Sequence, residues 1–149
     1  MKNSKVEICF IGNAIVDILS KISNETLNKL EIPKGSMQLV DEEYSDKILK
    51  YIKDPSIISG GSAANTAVGF KSFGGTCSFI GQIGNDKFGD LFSKDLNNSG
   101  IFFKSKNFQS TDKTSKSIIL VTPDAERSMN TFLGASVRFN INSFDEKFI

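Results

Sequence analysis

Apolar positions along the chain follow two rhythms. Val6-Glu7-Ile8-Cys9-Phe10-Ile11, Ser56-Ile57-Ile58-Ser59 and Thr76-Cys77-Ser78-Phe79-Ile80-Gly81 are short β-branched and aromatic runs bounded by Gly, Asn or Pro, which predicts three buried strands. Elsewhere the period lengthens to that of a helix. Tyr44, Ile48 and Ile52 are spaced by four behind Asp41, a good N-cap followed by Glu42 and Glu43. Ala63, Ala64, Ala67 and Val68 recur at helical spacing until Gly74-Gly75, and Phe88, Leu91, Phe92 and Leu96 share one face before Gly100. Asn24 to Leu30 predicts a shorter helix ended by Pro33 and Lys34-Gly35, and Ser36 to Val40 reads as extended.

Strand, helix and strand in succession predict parallel pairing through a right-handed crossover. The alternation stops after Gly100. Ile101 to Phe108, Ser117 to Thr122 and Arg127 to Leu133 read as strands, the last two joined by the turn Pro123-Asp124-Ala125-Glu126. This β-rich section predicts an antiparallel layer beside an α/β core.

The chain is organised around Ser59-Gly60-Gly61-Ser62-Ala63-Ala64-Asn65-Thr66-Ala67, a glycine pair between strand and helix with one asparagine that reads as buried. Such a turn exposes backbone N–H groups at a helix N-terminus and lets a ligand approach the main chain, because glycine has no Cβ and tolerates φ > 0. Asp17, in Ala14-Ile15-Val16-Asp17-Ile18-Leu19, is an acid among apolar neighbours just past the first strand. It reads either as a ligand hydrogen-bonder or as a solvated strand residue; the rule that ligands bind beyond the carboxyl ends of strands in open α/β sheets favours the first.

Composition narrows the chemistry. The 149 residues, 39% hydrophobic and 23% charged, suit one soluble domain with one core. With 18 basic against 17 acidic residues and a net charge of +1, no basic footprint for nucleic acid is visible, and the lysines after Tyr44 read as a solvated face. No apolar run is long enough to span a membrane and Met1 to Lys5 leads directly into a strand, so the expected location is cytoplasmic. Cys9 and Cys77 lack metal-finger spacing and read as buried, reduced thiols. The absence of histidine removes Ser-His-Asp and Cys-His nucleophile systems and most zinc sites, leaving acids, Lys, Arg, hydroxyls and backbone groups. There is no GxGxxG and no GxxxxGK[ST].

Gly60-Gly61-Ser62-Ala63-Ala64-Asn65-Thr66-Ala67, then Gly74, then Gly84, resembles the first signature of the ribokinase-like (pfkB) carbohydrate kinases. Gly12-Asn13-Ala14-Ile15-Val16-Asp17 looks like that family's first strand and substrate aspartate. Ile80 to Gly89 looks like its G-x-D-x-x-G segment, in which Asp86 and Gly89 read as a helix cap and a close-packing glycine. Thr122-Pro123-Asp124-Ala125-Glu126-Arg127-Ser128-Met129-Asn130-Thr131 is similar to the lid hairpin, closest to the bacterial adenosine-kinase-like branch. The resemblance implies a three-layer α/β/α core, here incomplete, with residues 1–149 forming the N-terminal portion of one kinase domain and lid strands near 15–40 and 101–133.

It further implies ATP-dependent phosphoryl transfer, with Mg²⁺, to a hydroxyl of a sugar or nucleoside. Asn13, Asp17, Gly60, Gly61 and Asn65 would bind the acceptor. Arg127 would stabilise charge on the phosphoryl group, a task suited to its forked guanidinium. Asn65 also reads as a core bridge and Arg127 as an exposed hairpin residue. Met37 and Leu39 would pack over a base, or else serve as core. Thr114-Ser115-Lys116 departs from the family's usual Thr-Gly. The D-T-x-G-A-G-D segment that carries the family's anion hole and general base is not in this sequence, so this chain is expected to supply the substrate-and-lid half and to be inactive alone. The alternative is a non-catalytic binding or assembly module, homodimeric through its lid strands.

Overall fold

The computed structural model describes residues 6–103 and 112–140. The elements run β1 (Ile8–Ile11), β2 (Ile15–Lys21), α1 (Asn24–Lys29), β3 (Met37–Leu39), α2 (Glu42–Leu49), β4 (Ser56–Gly60), α3 (Ser62–Ser72), β5 (Cys77–Ile80), α4 (Lys87–Asn98), β6 (Phe102–Phe103), β7 (Ser115–Val121) and β8 (Arg127–Phe132), followed by a 3₁₀ turn at Gly134–Arg138. Local signals place the helix starts. Asp41 accepts the N–H of Tyr44 at 2.7 Å, Ser23 that of Thr26 at 3.1 Å, and Asp86 those of Phe88 and Gly89.

Two sheets form. The core sheet has the order β1-β5-β6 and is parallel throughout; the lid sheet has the order β3-β8-β7-β2-β4 and is mixed. Phe10 packs on Phe70 of α3, while Phe79, Phe92 and Phe103 meet at ring distances of 5.3–5.7 Å and fix α4 to the core sheet. A second cluster, with Leu27, Leu30, Ile48, Ile118 and Leu120, packs α1 and α2 under the lid sheet.

Three expectations are corrected. The crossover from β4 through α3 to β5 does not stay within one sheet, because β4 pairs antiparallel with β2 in the lid. β4 is therefore a lid edge, and Ile57 and Ile58 are exposed rather than buried, since an edge strand covered on one side cannot hide both of its faces. The lid is not confined to 15–40 and 101–133: it includes β4, and Phe102–Phe103 pairs with β5 in the core sheet. The rest of the strand expected over Ile101 to Phe108 lies outside the described residues.

Cys77 is buried and Cys9 half-buried, both as free thiols. Among the described residues no helix is long and apolar enough to cross a membrane.

Candidate functional site

The site grows from one pairing. β2 and β4 run antiparallel with Ile15 opposite Gly60 and Asp17 opposite Ile58. The Asp17 carboxylate leans across to Gly60, where an added Cβ would stand 2.5 Å from Asp17 Cγ and 2.8 Å from Oδ1. Glycine at 60 is thus the condition for the carboxylate to lie where it does. Gly61 has a different reason. Its φ is +93°, and a Cβ there would stand 2.7 Å from the carbonyl oxygen of Asn13. The two glycines therefore hold the β1–β2 connection and the start of α3 against each other. Gly61 caps α3 without a side chain, so no side-chain acceptor covers the helix's first N–H groups.

Asp17 is half-buried and makes no hydrogen bond or ion pair to another described residue. Burial pushes its carboxyl above the usual carboxylate range. An acid held half out of water with no protein partner is costly.

The other expected residues fall at different distances from this centre. Asn13 is exposed at the end of β1, beside Gly61. Asn65 is exposed in the first turn of α3, not buried; its N–H donates to the Gly61 carbonyl at 2.9 Å, and its side chain borders a groove shared with Ile58, Ser59, Val68 and Asp95. Met37 and Leu39 are 59% and 62% exposed on edge strand β3, so neither is core.

Register locates the remainder. Residues paired across a sheet share a face. Asp17 is level with Ser117, Ser117 with Thr131, and Thr131 with Leu39; one step along, Leu19, Ile119, Met129 and Met37 form the next row on the same face. Arg127 shares this face but is opposite Val121, four residues beyond the Thr131 row, or roughly 13 Å at ~3.3 Å per residue. It is exposed and unpaired among the described residues. The structure therefore unites Asn13, Asp17, Gly60 and Gly61, sets Asn65 next to them on α3, and leaves Arg127 at the lid tip.

The sequence reading passed over one feature of this face. Ser117 Oγ and Thr131 Oγ1 are 3.0 Å apart, each 6% exposed, with no other side-chain partner among the described residues. Hydroxyls two apart in Ser115-Lys116-Ser117 were the available signal. A cavity of about 560 Å³ opens at the opposite end of the lid, lined by Lys21, Ile22, Val121, Thr122 and Pro123. Its lining holds no acid, and Lys21, which lines it, is four positions from Asp17 on β2, roughly 13 Å along the strand at ~3.3 Å per residue, so the unpartnered acid lies outside it.

The base of the lid is fixed by hydroxyls and one further acid. Asp86 accepts the N–H and hydroxyl of Thr114 at 2.9 and 2.8 Å, and Thr114 Oγ1 accepts the N–H of Gly84 at 2.9 Å. Burial pushes the Asp86 carboxyl up, but its bonds from Gly89, Thr114 and Phe88 outweigh this and hold it below the ordinary value. Ser115, at the departure from Thr-Gly, bonds through its hydroxyl to the Leu133 carbonyl and to Ser136. Ser136 Oγ also lies 3.5 Å from the Ala14 carbonyl oxygen. The departure thus adds a tie between β7, the 3₁₀ turn and the start of β2.

Comparison with known proteins agrees with this architecture. The profile described as pfkB family carbohydrate kinase matches residues 35–148. The fold superposes on adenosine kinase from Sinorhizobium meliloti with TM-score 0.84 and 35% identity, covering 97% of this chain and 44% of that one. A probable sugar kinase from Rhizobium etli gives TM-score 0.82 and 35% identity, covering 94% and 42%. Fructokinase from Escherichia coli is 31% identical over 86 residues, 58% of this chain and 28% of the enzyme. The chain spans less than half the length of these relatives. On the strength of the matched region and the shared fold, it belongs to the pfkB family of carbohydrate kinases.

Proposed function

We propose that this chain is the acceptor-binding and lid half of a kinase that transfers the γ-phosphoryl of ATP to a hydroxyl of a sugar or nucleoside. The observation that carries this reading is the half-buried, unpartnered carboxylate of Asp17 over Gly60. A carboxylate is a hydrogen-bond acceptor only, so it binds the O–H donors of one or two hydroxyls of the substrate; the Asn65 amide, with both donors and an acceptor, completes the set from α3. Asn13, Gly60 and Gly61 shape the floor, Gly60 by leaving space for the carboxylate. Met37 lies on the flank of the same face. Binding orients the acceptor hydroxyl, which is the larger part of what a protein contributes to phosphoryl transfer. Arg127, at the tip of the face, supplies positive charge towards the transferred group on lid closure.

ATP and Mg²⁺ supply the phosphoryl group and its charge neutralisation. Among the described residues there is no cluster of three or more acidic or thiol groups arranged for a metal. The test is a pair of measurements. Ribose, fructose or adenosine should raise the melting temperature of the chain and not of Asp17→Asn, and a coupled ATPase assay with the same compounds should show no turnover. Robust turnover by the chain alone would refute the half-site reading.

A second reading, a non-catalytic binding module that self-associates through its lid, is favoured by the exposed apolar residues Met37, Leu39, Ile57 and Ile58 on the two lid edges. Light scattering tests it, and a ligand-indifferent monomer would count against it.

A further inference from the structure

Three of the passages between core and lid meet at one pair of buried hydroxyls. β2 enters the lid beside Ala14, β7 enters it at Ser115, and β8 leaves it at Leu133 and Gly134. Resting on the reading of Asp17 and Gly60 as the acceptor site, we infer that the Ser115–Ser136 hydroxyl pair is a positioning element of that site. It touches no acceptor; it sets where β2 and the connection through Asn13 and Ala14 stand.

Hydrogen-bond arithmetic fixes the direction of the pair. The Ser115 hydroxyl has one proton and gives it to the Leu133 carbonyl, so in its contact with Ser136 it is Ser136 that donates. Ser136 Oγ also stands 3.5 Å from the Ala14 carbonyl oxygen. The two serines are 0% and 5% exposed. Each hydroxyl has given up water, and each proton is used, so removing either one unties the pair as a whole.

The pair is anchored on the core. Thr114, next to Ser115 in the chain, donates its N–H and hydroxyl to Asp86 at 2.9 and 2.8 Å, and Asp86 is the N-cap of α4. Ala135, next to Ser136, donates its N–H to the Lys113 carbonyl at 2.8 Å. A continuous set of contacts therefore runs from α4 through the start of β7 and the 3₁₀ turn to the start of β2.

Register carries it to the acceptor site. Ser115 is opposite Ile15 on β2, and Ile15 is opposite Gly60 on β4. Asp17 is two positions further along β2, roughly 7 Å at ~3.3 Å per residue, and residues two apart on a strand share a face. The Ser115 hydroxyl and the turn it holds thus stand at the foot of the Asp17 face. On the other side, a Cβ added at Gly61 would be 2.7 Å from the Asn13 carbonyl oxygen. The connection between β1 and β2 is gripped between the hydroxyl pair and the glycine turn. Without the pair it is held from one side only, and a carboxylate that drifts loses the alignment its hydrogen bonds to an acceptor need, while the fold persists.

Isothermal titration of adenosine and ribose into the 149-residue chain tests this, with Ser115→Ala, Ser136→Ala, their double variant, Ser115→Thr, Ile118→Val and Asp17→Asn, each accompanied by a urea unfolding curve. Each single alanine variant should weaken acceptor binding about fivefold, and the double variant by no more than about tenfold, because the two hydroxyls act as one unit. Ser115→Thr keeps the hydroxyl and should bind within about twofold of wild type. Ile118→Val loosens the cluster under the opposite face of the lid and should also stay within about twofold, which separates positioning from loss of stability. If one alanine variant fails to fold, the other decides; failure of both makes the pair purely structural and overturns the inference. Alanine variants that bind as wild type does, Ile118→Val weakening binding as much as they do, or Ser115→Thr as weak as Ser115→Ala, overturn the inference and leave the acceptor site standing. Absence of Asp17-dependent binding of either compound by the wild-type chain overturns the acceptor site and this inference with it.

Discussion

Replacing Gly60 by alanine tests the geometry on which the site depends. The new methyl would stand 2.5 Å from Asp17 Cγ and 2.8 Å from Oδ1, inside van der Waals contact, so the carboxylate must rotate away or β2 and β4 must part. Gly60 has no positive φ, so alanine adds no backbone strain there. Rotation is the cheaper response, at about 0.5–1.5 kcal/mol for an off-rotamer side chain. It removes charge-assisted hydrogen bonds to the acceptor, worth about 1.5–3 kcal/mol, or roughly 10- to 100-fold in Kd. The assay is calorimetric titration of ribose or adenosine into Gly60→Ala, Asp17→Asn and the double variant. Because the methyl acts through Asp17, the double variant should bind no more weakly than the worse single one, a strong departure from additivity. Full additivity, or unchanged binding by Gly60→Ala, refutes the reasoning.

Other outcomes follow from the same structure. Gly61→Ala should destabilise the fold as well as the site, by about 1–3 kcal/mol in urea unfolding, because it places a side chain at φ +93° against the Asn13 carbonyl. Asp17→Asn should raise the melting temperature while weakening acceptor binding. The Asp17 pKa is raised in the fold, so ionisation costs stability at neutral pH, and that cost disappears as pH falls through the raised pKa; wild type and variant should converge in acid. Asp86 has the opposite sign. Its folded pKa is lowered, so its contribution is complete above the ordinary carboxylate pKa of about 4 and fades below it; Asp86→Ala should cost roughly 2–4 kcal/mol at neutral pH for the lost cap and the unpaired Thr114, measured by denaturant titration. Arg127→Ala should leave the Kd of a neutral acceptor within twofold, since Arg127 is four register positions beyond the Asp17 row; a tenfold loss in titration would contradict that placement.

What the sequence made legible was mostly local. Asp41, Asp86 and the Gly60-Gly61 turn each act within a few residues, and each sits where spacing predicts. The acid-and-glycine constellation was legible through a resemblance, because Asp17 and Gly60 are 43 positions apart and only the sheet brings them together. What depends on sheet membership was not legible. Ile57 and Ile58 have the composition of a buried strand, yet pairing with β2 rather than in the core sheet makes β4 an edge. Asn65 reads as buried among small residues, but its place in the first turn of α3 turns it outward. Met37 and Leu39 are apolar for a face of the lid rather than for a core. Ser117 and Thr131 meet through the register of the β7–β8 hairpin, which the turn at Pro123 to Glu126 sets and the alternation within either strand does not reveal.

The central claim is that Asp17, Gly60, Gly61 and Asn65 form an acceptor site already assembled in this chain. Backbone amide chemical-shift mapping during titration with ribose or adenosine tests it most directly. Perturbations should concentrate at Asp17, Gly60, Gly61 and the first turn of α3, and vanish in Asp17→Asn. Perturbations centred instead on the Lys21, Val121 and Thr122 cavity at the far end of the lid, and unaffected by Asp17→Asn, would contradict it.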